Sequence, residues 1–234
     1  MPAVVTRPSP LASTPAEPAP RRDRRGDILL AAEKLFAQHG YHAVSLRQIA
    51  TEAGVPLALV GYYFGAKHEL FHAIFEHWAP TIDERLSRLR EALPKAEQPN
   101  LDAIVRAFVE PVLRMRASGE GESYALLVGR ELLYTAPEAE RVLRDFFDPL
   151  AHAYIDALHA ARPHAARARV AWAYQFALGA LLHHLSDTRV ERLSRGANRP
   201  NDPAAAAWLI AFITAGIDAA LAAPDLHPNQ ETSR

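Results

Sequence analysis

The spacing of apolar side chains along the chain predicts helices and no strand. In residues 22–39, Ile28, Leu35 and Phe36 recur at intervals that place them on one face of a helix, and Gly40 supplies its stop. Further segments show the same period of three to four residues, and they cover residues 67–93, 101–117, 122–134, 137–161, 163–194 and 203–222. The fold class predicted by this pattern is all-α.

Two short helices joined by a tight turn are predicted over residues 45–64. Ser45 and Gln48 have the spacing of a capping box, in which each side chain satisfies a backbone N–H group at the start of a helix. Gly54 ends that helix, and Pro56 has a fixed φ suited to the first turn of the next one. This arrangement is the helix-turn-helix unit.

Composition divides the rest of the chain. Residues 1–20 contain six prolines among small residues and are predicted to be a disordered tail, as are the polar residues 224–234. We assign residues 21–80 to the helix-turn-helix domain and residues 81–223 to a second helical domain. Pro80 falls inside the fourth helix, where it predicts a bend.

Charge and cysteine content narrow the class of protein. The net charge of −1 argues against a non-specific coat for nucleic acids. The chain has no cysteine, which excludes a disulfide framework and thiolate chemistry and favours a cytoplasmic location. No apolar run approaches the roughly 20 residues that span a bilayer, so we expect a soluble protein with no membrane partner.

A cluster of positive charge precedes the first helix, formed by Arg21, Arg22, Arg24 and Arg25. An arm of this charge can reach the phosphates of DNA. It can equally be a solvated leader, and the sequence leaves both interpretations open.

The N-terminal third of the chain resembles a known family. The resemblance rests on residues 31–55, AAEKLFAQHGYHAVSLRQIATEAGV, and on residues 62–71, YYFGAKHELF. These segments are similar to the DNA-binding domain of the TetR family of transcriptional regulators. The resemblance implies a domain that binds a double-stranded DNA operator, followed by a helical domain that binds a small-molecule effector and forms a homodimer. It implies no enzymatic activity and no cofactor.

The same resemblance places Ser45, Arg47, Tyr62, Tyr63 and Lys67 against DNA phosphates and base edges. The chemistry agrees, because arginine can read guanine with two hydrogen bonds, while tyrosine hydroxyls and lysine bind phosphates. Packing inside the domain is the alternative role for Tyr63.

The second helix of the unit departs from the family pattern at two positions. Pro56 stands where the family usually has a capping Ser or Thr, so a phosphate-binding hydroxyl is missing. Gly61 stands where an aromatic residue is common, and it lowers helix propensity by about 1 kcal/mol relative to Ala. With Leu57 and Ala58 at its start, this helix should read bases by apolar contact with thymine methyl groups or through DNA shape.

Residues 171–185 and 207–221 are apolar on nearly every side, so both helices should be buried on every side. A dimer interface formed by these two helices explains the pattern, as the resemblance also implies; a hairpin inside a monomer is the alternative. The small residues that would allow close approach are Ala177, Gly179, Ala180, Ala215 and Gly216.

A ligand site is predicted in the second domain. Arg130 and Glu131 are charges within an apolar helix, and a buried charge needs a partner, which can be a ligand or a neighbouring helix. We expect an amphipathic ligand with its polar or anionic end near Arg130 or His183, since the segment GREL and the ending YYFGAK resemble regulators that sense fatty acids or their thioesters. The predicted lining is Phe108, Met115, Arg130, Tyr134, Trp172, Phe176 and His183.

The run with His183, His184 and Asp187 suggests a metal site, because residues at positions i and i+4 share one face of a helix. No third ligand lies nearby for such a pair, which favours a pocket or interface role. No catalytic motif stands out in the chain.

The predicted function is therefore a ligand-responsive homodimeric repressor that leaves a palindromic operator when its effector binds. The alternative is an all-α enzyme or small-molecule carrier with a structural helix-turn-helix.

Overall fold

The computed structural model describes residues 23–93, 98–119, 121–133 and 137–222, which form helices joined by turns. The described residues contain no strand, which confirms the all-α class. Both predicted tails, residues 1–20 and 224–234, lie outside them. The helices are α1 (Arg24–His39), α2 (Leu46–Glu52), α3 (Leu57–Phe64), α4 (Lys67–Glu91), α5 (Leu101–Ala117), α6 (Glu122–Leu133), α7 (Pro137–Val142), α8 (Asp148–Ala161), α9 (Arg167–Ser186), α10 (Val190–Leu193) and α11 (Ala205–Ala222), and a π-helical turn, Leu143–Phe147, joins α7 to α8.

The predicted helix-turn-helix is formed by α2 and α3. The Ser45 hydroxyl accepts a hydrogen bond from the Gln48 N–H at 3.3 Å, and Gln48 Oε1 accepts from the Ser45 N–H at 2.8 Å, which confirms the capping box. Gly54 has a φ of 65° in the turn, where a Cβ would be strained. Pro56 lies just before α3 instead of in its first turn, because its ψ of 139° is extended.

The first three helices share a core with the start of α4. The central side chains of this core are each at most 8% exposed, and they are Phe36, Ile49, Val60, Phe64 and Leu70. Val55 is partly buried against the same core. An ion pair of 2.6 Å between Lys34 and Glu52 joins α1 to α2 at the surface.

Helix α4 belongs to both halves of the molecule. It starts beside the helix-turn-helix and continues through Pro80 into the second domain, where it packs against α5 and α8. The bend expected at Pro80 stays a prediction. Helices α5, α8, α9 and α11 pack into a bundle whose centre includes Tyr154, 1% exposed, with its hydroxyl donating to the Ala107 carbonyl at 2.8 Å.

Three predicted helix ranges are wrong in detail. The range 163–194 is divided into α9 and α10, because the backbone of Asp187 is extended and ends α9. The Asp187 carboxylate accepts a hydrogen bond from the Arg189 N–H at 2.8 Å, which stabilises this break. The range 137–161 is interrupted by the π-helical turn. Helix α11 starts later than predicted, since Asp202 Oδ1 accepts a hydrogen bond from the Ala204 N–H at 2.9 Å.

A buried carboxylate attaches α1 to the second domain. Glu33 on α1 is 2% exposed, and it accepts a hydrogen bond from the indole Nε1–H of Trp78 on α4 at 2.7 Å. The backbone N–H of Tyr124 on α6 donates to the same carboxylate. The rings of Trp78 and Tyr124 stack with centroids 5.0 Å apart and planes 13° from parallel. One acidic group therefore holds three helices together.

Burial raises the pKa of Glu33 above its ordinary value of 4.5, although both donated hydrogen bonds oppose the shift. The folded protein therefore binds this proton more tightly than the unfolded chain does. The contribution of Glu33 to stability must then fall as the pH rises from 4.5 through its folded pKa.

Replacing Glu33 with Gln tests this shift, because Gln keeps hydrogen-bonding capacity without titrating. We expect the free energy of unfolding of the unmodified protein, relative to Glu33→Gln, to increase as the pH is lowered from about 7.5 to about 5, by at most about 1.4 kcal/mol per pH unit. Urea titrations at several pH values measure it.

Glu91→Gln is the matched control, since Glu91 is an exposed carboxylate on α4. Its stability relative to the unmodified protein should change little over the same pH range. If the free energies of unfolding of the unmodified protein and Glu33→Gln differ by the same amount at every pH, the Glu33 carboxyl titrates alike in the folded and unfolded states.

Candidate nucleic-acid interface and internal cavity

The helix-turn-helix presents polar and aromatic side chains to solvent. Tyr62 and Tyr63 are 80% and 38% exposed, and their rings meet edge to face with centroids 5.2 Å apart. Ser45 and Arg47 are exposed at the start of α2. Hydroxyl and guanidinium groups placed in this way are available to phosphates and base edges. The ring centroids of Tyr63 and Phe64 are 6.5 Å apart, so the Tyr63 ring packs against a neighbour and is also exposed to solvent.

Two cations lie on aromatic rings at the edges of this unit. The Lys67 ammonium, at the start of α4, sits 4.2 Å from the centroid of the Tyr41 ring. The Arg25 guanidinium, in the first turn of α1, sits 4.9 Å from the centroid of Phe64 at the end of α3. These contacts hold both charges near the surface of the unit. The predicted arm residues Arg21 and Arg22 lie outside the described residues.

The start of α3 is apolar. Leu57 is 44% exposed, Ala58 is exposed, and Pro56 offers no side-chain hydrogen bond to the helix. At Gly61 a Cβ would meet no atom of the described residues within 4 Å, so no packing constraint requires glycine there. The surface of this helix consequently carries few hydrogen-bonding groups before the two tyrosines.

The second domain encloses a cavity of about 490 Å³ between α4, α5, α6, the π-helical turn, α8 and α9. This volume is in the usual range for small-molecule sites. Most of the lining is aliphatic, and it includes Ile82, Val112, Met115, Val128, Leu132, Leu143, Leu150, Leu178, Leu181 and Leu182. Trp78 and Tyr124, the stacked pair that binds Glu33, form part of the wall.

One cation reaches this cavity without a carboxylate partner. Arg85 on α4 lies 5.5 Å from the ring centroid of Phe108, and its Nε is buried without a hydrogen-bond partner. The hydroxyl of Tyr124, itself 2% exposed, is buried and unpaired as well. Among the described residues, no acidic side chain forms an ion pair with Arg85.

Three buried tyrosines are close enough to this guanidinium for its charge to act on them. Burial raises the pKa of Tyr124, Tyr154 and Tyr174, and the positive charge of Arg85 opposes the rise in each case. For Tyr154 the pKa is raised to about 12. All three hydroxyls therefore keep their protons at neutral pH and can donate hydrogen bonds.

The structure brings only some of the residues predicted to line a ligand site to this cavity. Met115 lines the cavity. Phe108 is 3% exposed and lies behind the wall, against Tyr154 and Tyr174. Trp172 and Phe176 are 62% and 64% exposed, so they point away from the cavity. They were misplaced because α9 is apolar on every side and its periodicity does not identify the inner face.

Arg130 and His183 do not reach the cavity either. Arg130 is exposed on α6, and its guanidinium lies so close to Gly40 that a Cβ there would come within 2.5 Å of Nη2. It therefore covers the end of α1 and does not face a ligand. His183 is exposed and forms an ion pair of 3.1 Å with Asp187. Tyr134 lies outside the described residues.

Arg85 and Tyr124 were missed as candidates. A signal for Arg85 was present, since it lies three residues after Ile82 and four before Leu89, on the apolar side of α4. A cation at such a position is placed toward the core by helical geometry. For Tyr124, a single tyrosine near the start of α6 carried no distinguishing pattern.

The Asp187 carboxylate is already committed. It binds the Arg189 guanidinium at 2.6 Å in addition to His183, and these contacts lower the pKa of Asp187. Within the described ranges, no group of three possible ligand residues could hold a metal ion. The spacing of His183 and Asp187 is accounted for by their ion pair.

An aromatic face covers the outside of α9 and α11, and it consists of Trp172, Phe176, Trp208 and Phe212. These side chains are 62–70% exposed. Gly179, Ala215 and Gly216 are also exposed on these two helices, and Ala180 is half-buried. Ala177 is 6% exposed and packs within its own chain, so its predicted place in a dimer seam is wrong.

Helix α11 is long and apolar enough to cross a membrane by length and composition, with 22% of the segment buried. The expectation that no apolar run approaches this length is therefore wrong for α11. The exposed remainder includes the α11 part of the aromatic face.

Two family profiles match separate parts of this chain. The profile described as bacterial regulatory proteins, tetR family, matches residues 28–74. The profile described as tetracyclin repressor-like, C-terminal domain, matches residues 106–216. The first match covers the helix-turn-helix, and the second covers the helices that form most of the cavity and the aromatic face.

Curated relatives match a part of this chain. The transcriptional activator FasR of Mycolicibacterium smegmatis is 36% identical over 39% of this chain and 41% of its own length. The transcriptional repressor NicS of Pseudomonas putida is 36% identical over 34% of this chain and 38% of its own length. The chain thus matches about two fifths of each relative.

Solved structures share the whole fold. A TetR-like transcriptional regulator from Rhodococcus sp. RHA1 aligns with 88% of this chain and 100% of its own, with a TM-score of 0.62 and 18% identity. The family matched by both domains consists of transcriptional regulators and not of enzymes. The chain therefore belongs to the TetR family of transcriptional regulators.

Proposed function

We propose that this protein binds an operator in double-stranded DNA as a homodimer and changes its DNA affinity when a small molecule fills the cavity. The observation that carries the proposal is the course of α4. This helix begins at Lys67, beside the exposed tyrosines of α3, and lines the cavity with Trp78, Ile82 and Arg85. A shift of α4 caused by a ligand would therefore move the DNA-contacting unit.

The DNA contacts proposed are those of the exposed unit. Ser45, Arg47, Tyr62, Tyr63 and Lys67 would bind phosphates and base edges. Leu57 and Ala58 would approach thymine methyl groups, and the small number of polar groups on α3 supports a share for DNA shape.

The homodimer is supported by the aromatic face. Exposed aromatic patches of this kind mark interaction surfaces, and soluble oligomers are most often two-fold symmetric. The face combines projecting rings with gaps at Gly179 and Gly216, a relief that a second copy can match. This cover also accounts for the apolar exterior of α11. Two-fold symmetry in turn requires a palindromic operator.

The proposed mode is repression that the effector relieves, and activation would use the same parts. The named relatives include an activator and a repressor. The effector must bind the state with low DNA affinity more tightly, because a ligand shifts an equilibrium only through this difference. The proposed effector is amphipathic, since the cavity is mainly aliphatic with a few polar groups. A chain without cysteine that binds DNA suits the cytoplasm.

Band shifts with fragments of the source genome test DNA binding directly. Arg47→Ala should weaken binding and reduce the slope of log K against log salt by about one if a single phosphate contact is lost. Its melting temperature should stay close to that of the unmodified protein, since Arg47 is exposed.

Arg144→Ala is the matched control, because Arg144 is 66% exposed on the π-helical turn, outside the helix-turn-helix. It should leave the affinity and the salt slope unchanged. Retention of no fragment at low salt would refute DNA binding. Equal slopes for Arg47→Ala and the unmodified protein would remove Arg47 from the interface.

The dimer has its own test at Gly179, where a Cβ would meet no atom of the described residues within 4 Å. Gly179→Arg should therefore fold as before yet separate the subunits, because a charge buried between two apolar faces lacks water and a partner. Light scattering measures the mass, and Ala160→Arg on the exposed side of α8 is the control. A monomeric unmodified protein, or a dimeric Gly179→Arg, would contradict this interface.

A further inference from the structure

We infer that the effector is a small amphipathic monoanion whose charged end pairs with Arg85 inside the cavity and whose hydrocarbon body fills the aliphatic part. The inference rests on the proposal that the cavity binds the effector. Its test requires no DNA, so the two can fail separately.

The first step is the charge of Arg85. A cation that is partly removed from water is unfavourable unless an anion or several acceptors compensate it. Arg85 has a buried Nε without an acceptor, and its guanidinium lies 5.5 Å from the ring centroid of Phe108. The hydroxyl of Tyr154 also interacts with this side chain, but it is neutral and does not balance the charge. Within the described part of the chain, no carboxylate completes the pair. A ligand anion would supply what the protein leaves out.

The second step is the kind of group that Arg85 and its neighbours can bind. The buried Tyr124 hydroxyl has no hydrogen-bond partner and borders the same cavity. Tyr174 also lines it, next to the guanidinium whose charge acts on its pKa. Arginine offers donors alone, and protonated tyrosines can add more. A carboxylate has two acceptor oxygens and no donor, so it fits this set.

The third step concerns the acidic residues of the lining. Glu84 points to the surface, 49% exposed, and is paired with Arg88 at 2.8 Å and Arg114 at 3.2 Å. Asp148 is exposed in the first turn of α8, where a negative charge is favoured by the helix dipole. Both carboxylates are thus compensated, whereas the charge of Arg85 is not.

The fourth step is the size of the charged group. Arg114 is the other arginine among the described lining residues, and its charge is taken up by Glu84 and Glu110. A head group with several phosphates would need more cations than Arg85 supplies. The leucine-rich remainder favours a flexible hydrocarbon body. The site therefore suits a free monocarboxylate in preference to a bulky, multiply charged thioester.

Isothermal titration of the full chain with three ten-carbon probes tests the inference. The probes are decanoate, decan-1-ol and decyltrimethylammonium, which share the chain and differ in charge. We expect decanoate to bind at least about tenfold more tightly than decan-1-ol, a difference of about 1.4 kcal/mol, and the cation to bind most weakly.

Arg85→Gln should remove the preference for decanoate over decan-1-ol, and Arg85→Lys should retain part of it. Arg88→Gln is the matched control, because Arg88 lies on the same helix as Arg85 but is paired with Glu84 at 2.8 Å and does not line the cavity. It should keep the full preference. If Arg85→Gln fails to fold, the three affinities of the unmodified protein still decide.

Three results would overturn the inference: equal affinities for decanoate and decan-1-ol, a preference for the cation, or no binding of any probe. Loss of the preference in Arg88→Gln as strongly as in Arg85→Gln would move the anion to the surface and would also contradict the inference. Failure of DNA binding in the band shift would leave the titration result intact, so the two proposals remain distinguishable.

Discussion

A carboxylate that is 2% exposed must receive hydrogen bonds, and the structure depends on how Glu33 receives them. One donor comes from the indole of Trp78 on α4, and the other comes from the backbone of Tyr124 on α6. Because the acceptor is on α1, the helix that braces the helix-turn-helix is held by two helices that enclose the cavity. A displacement of either helix removes a hydrogen-bond donor from the buried Glu33 carboxylate, which then lacks a partner.

The same two side chains form part of the cavity wall. The stacked rings of Trp78 and Tyr124 line the cavity. The indole N–H of Trp78 and the backbone N–H of Tyr124 donate hydrogen bonds to Glu33. A ligand that shifts the Trp78 ring acts directly on a hydrogen bond to α1. Arg130 adds a second contact between α6 and α1, over Gly40. The proposed response to an effector thus needs only short, direct contacts between the two domains.

The helix-turn-helix could be predicted because its signals are local. The capping pair of Ser45 and Gln48 and the glycine at position 54 specify where helices begin and end, whatever surrounds them. The helix ends near Asp187 were missed because a side-chain hydrogen bond to the backbone competed with a continuing apolar pattern.

The cavity could not be predicted with the same success. Helix α9 is apolar on all sides, so sequence periodicity cannot distinguish Tyr174, which lines the cavity, from Trp172, which is 62% exposed. The charge in α6 drew attention to Arg130, although the arginine that lines the cavity without a carboxylate partner is Arg85 on α4. Which charge is buried depends on how the helices pack together, and that packing involves residues far apart in the chain.

Hydrogen–deuterium exchange of Trp78→Phe tests the central link most directly. Phenylalanine keeps an aromatic ring against Tyr124 but removes the N–H that Glu33 accepts. The account predicts faster exchange of the backbone amides of α1, from Ile28 to Phe36, as well as of α4, because α1 loses part of its attachment. Faster exchange confined to α4, with α1 protected as in the unmodified protein, would contradict it.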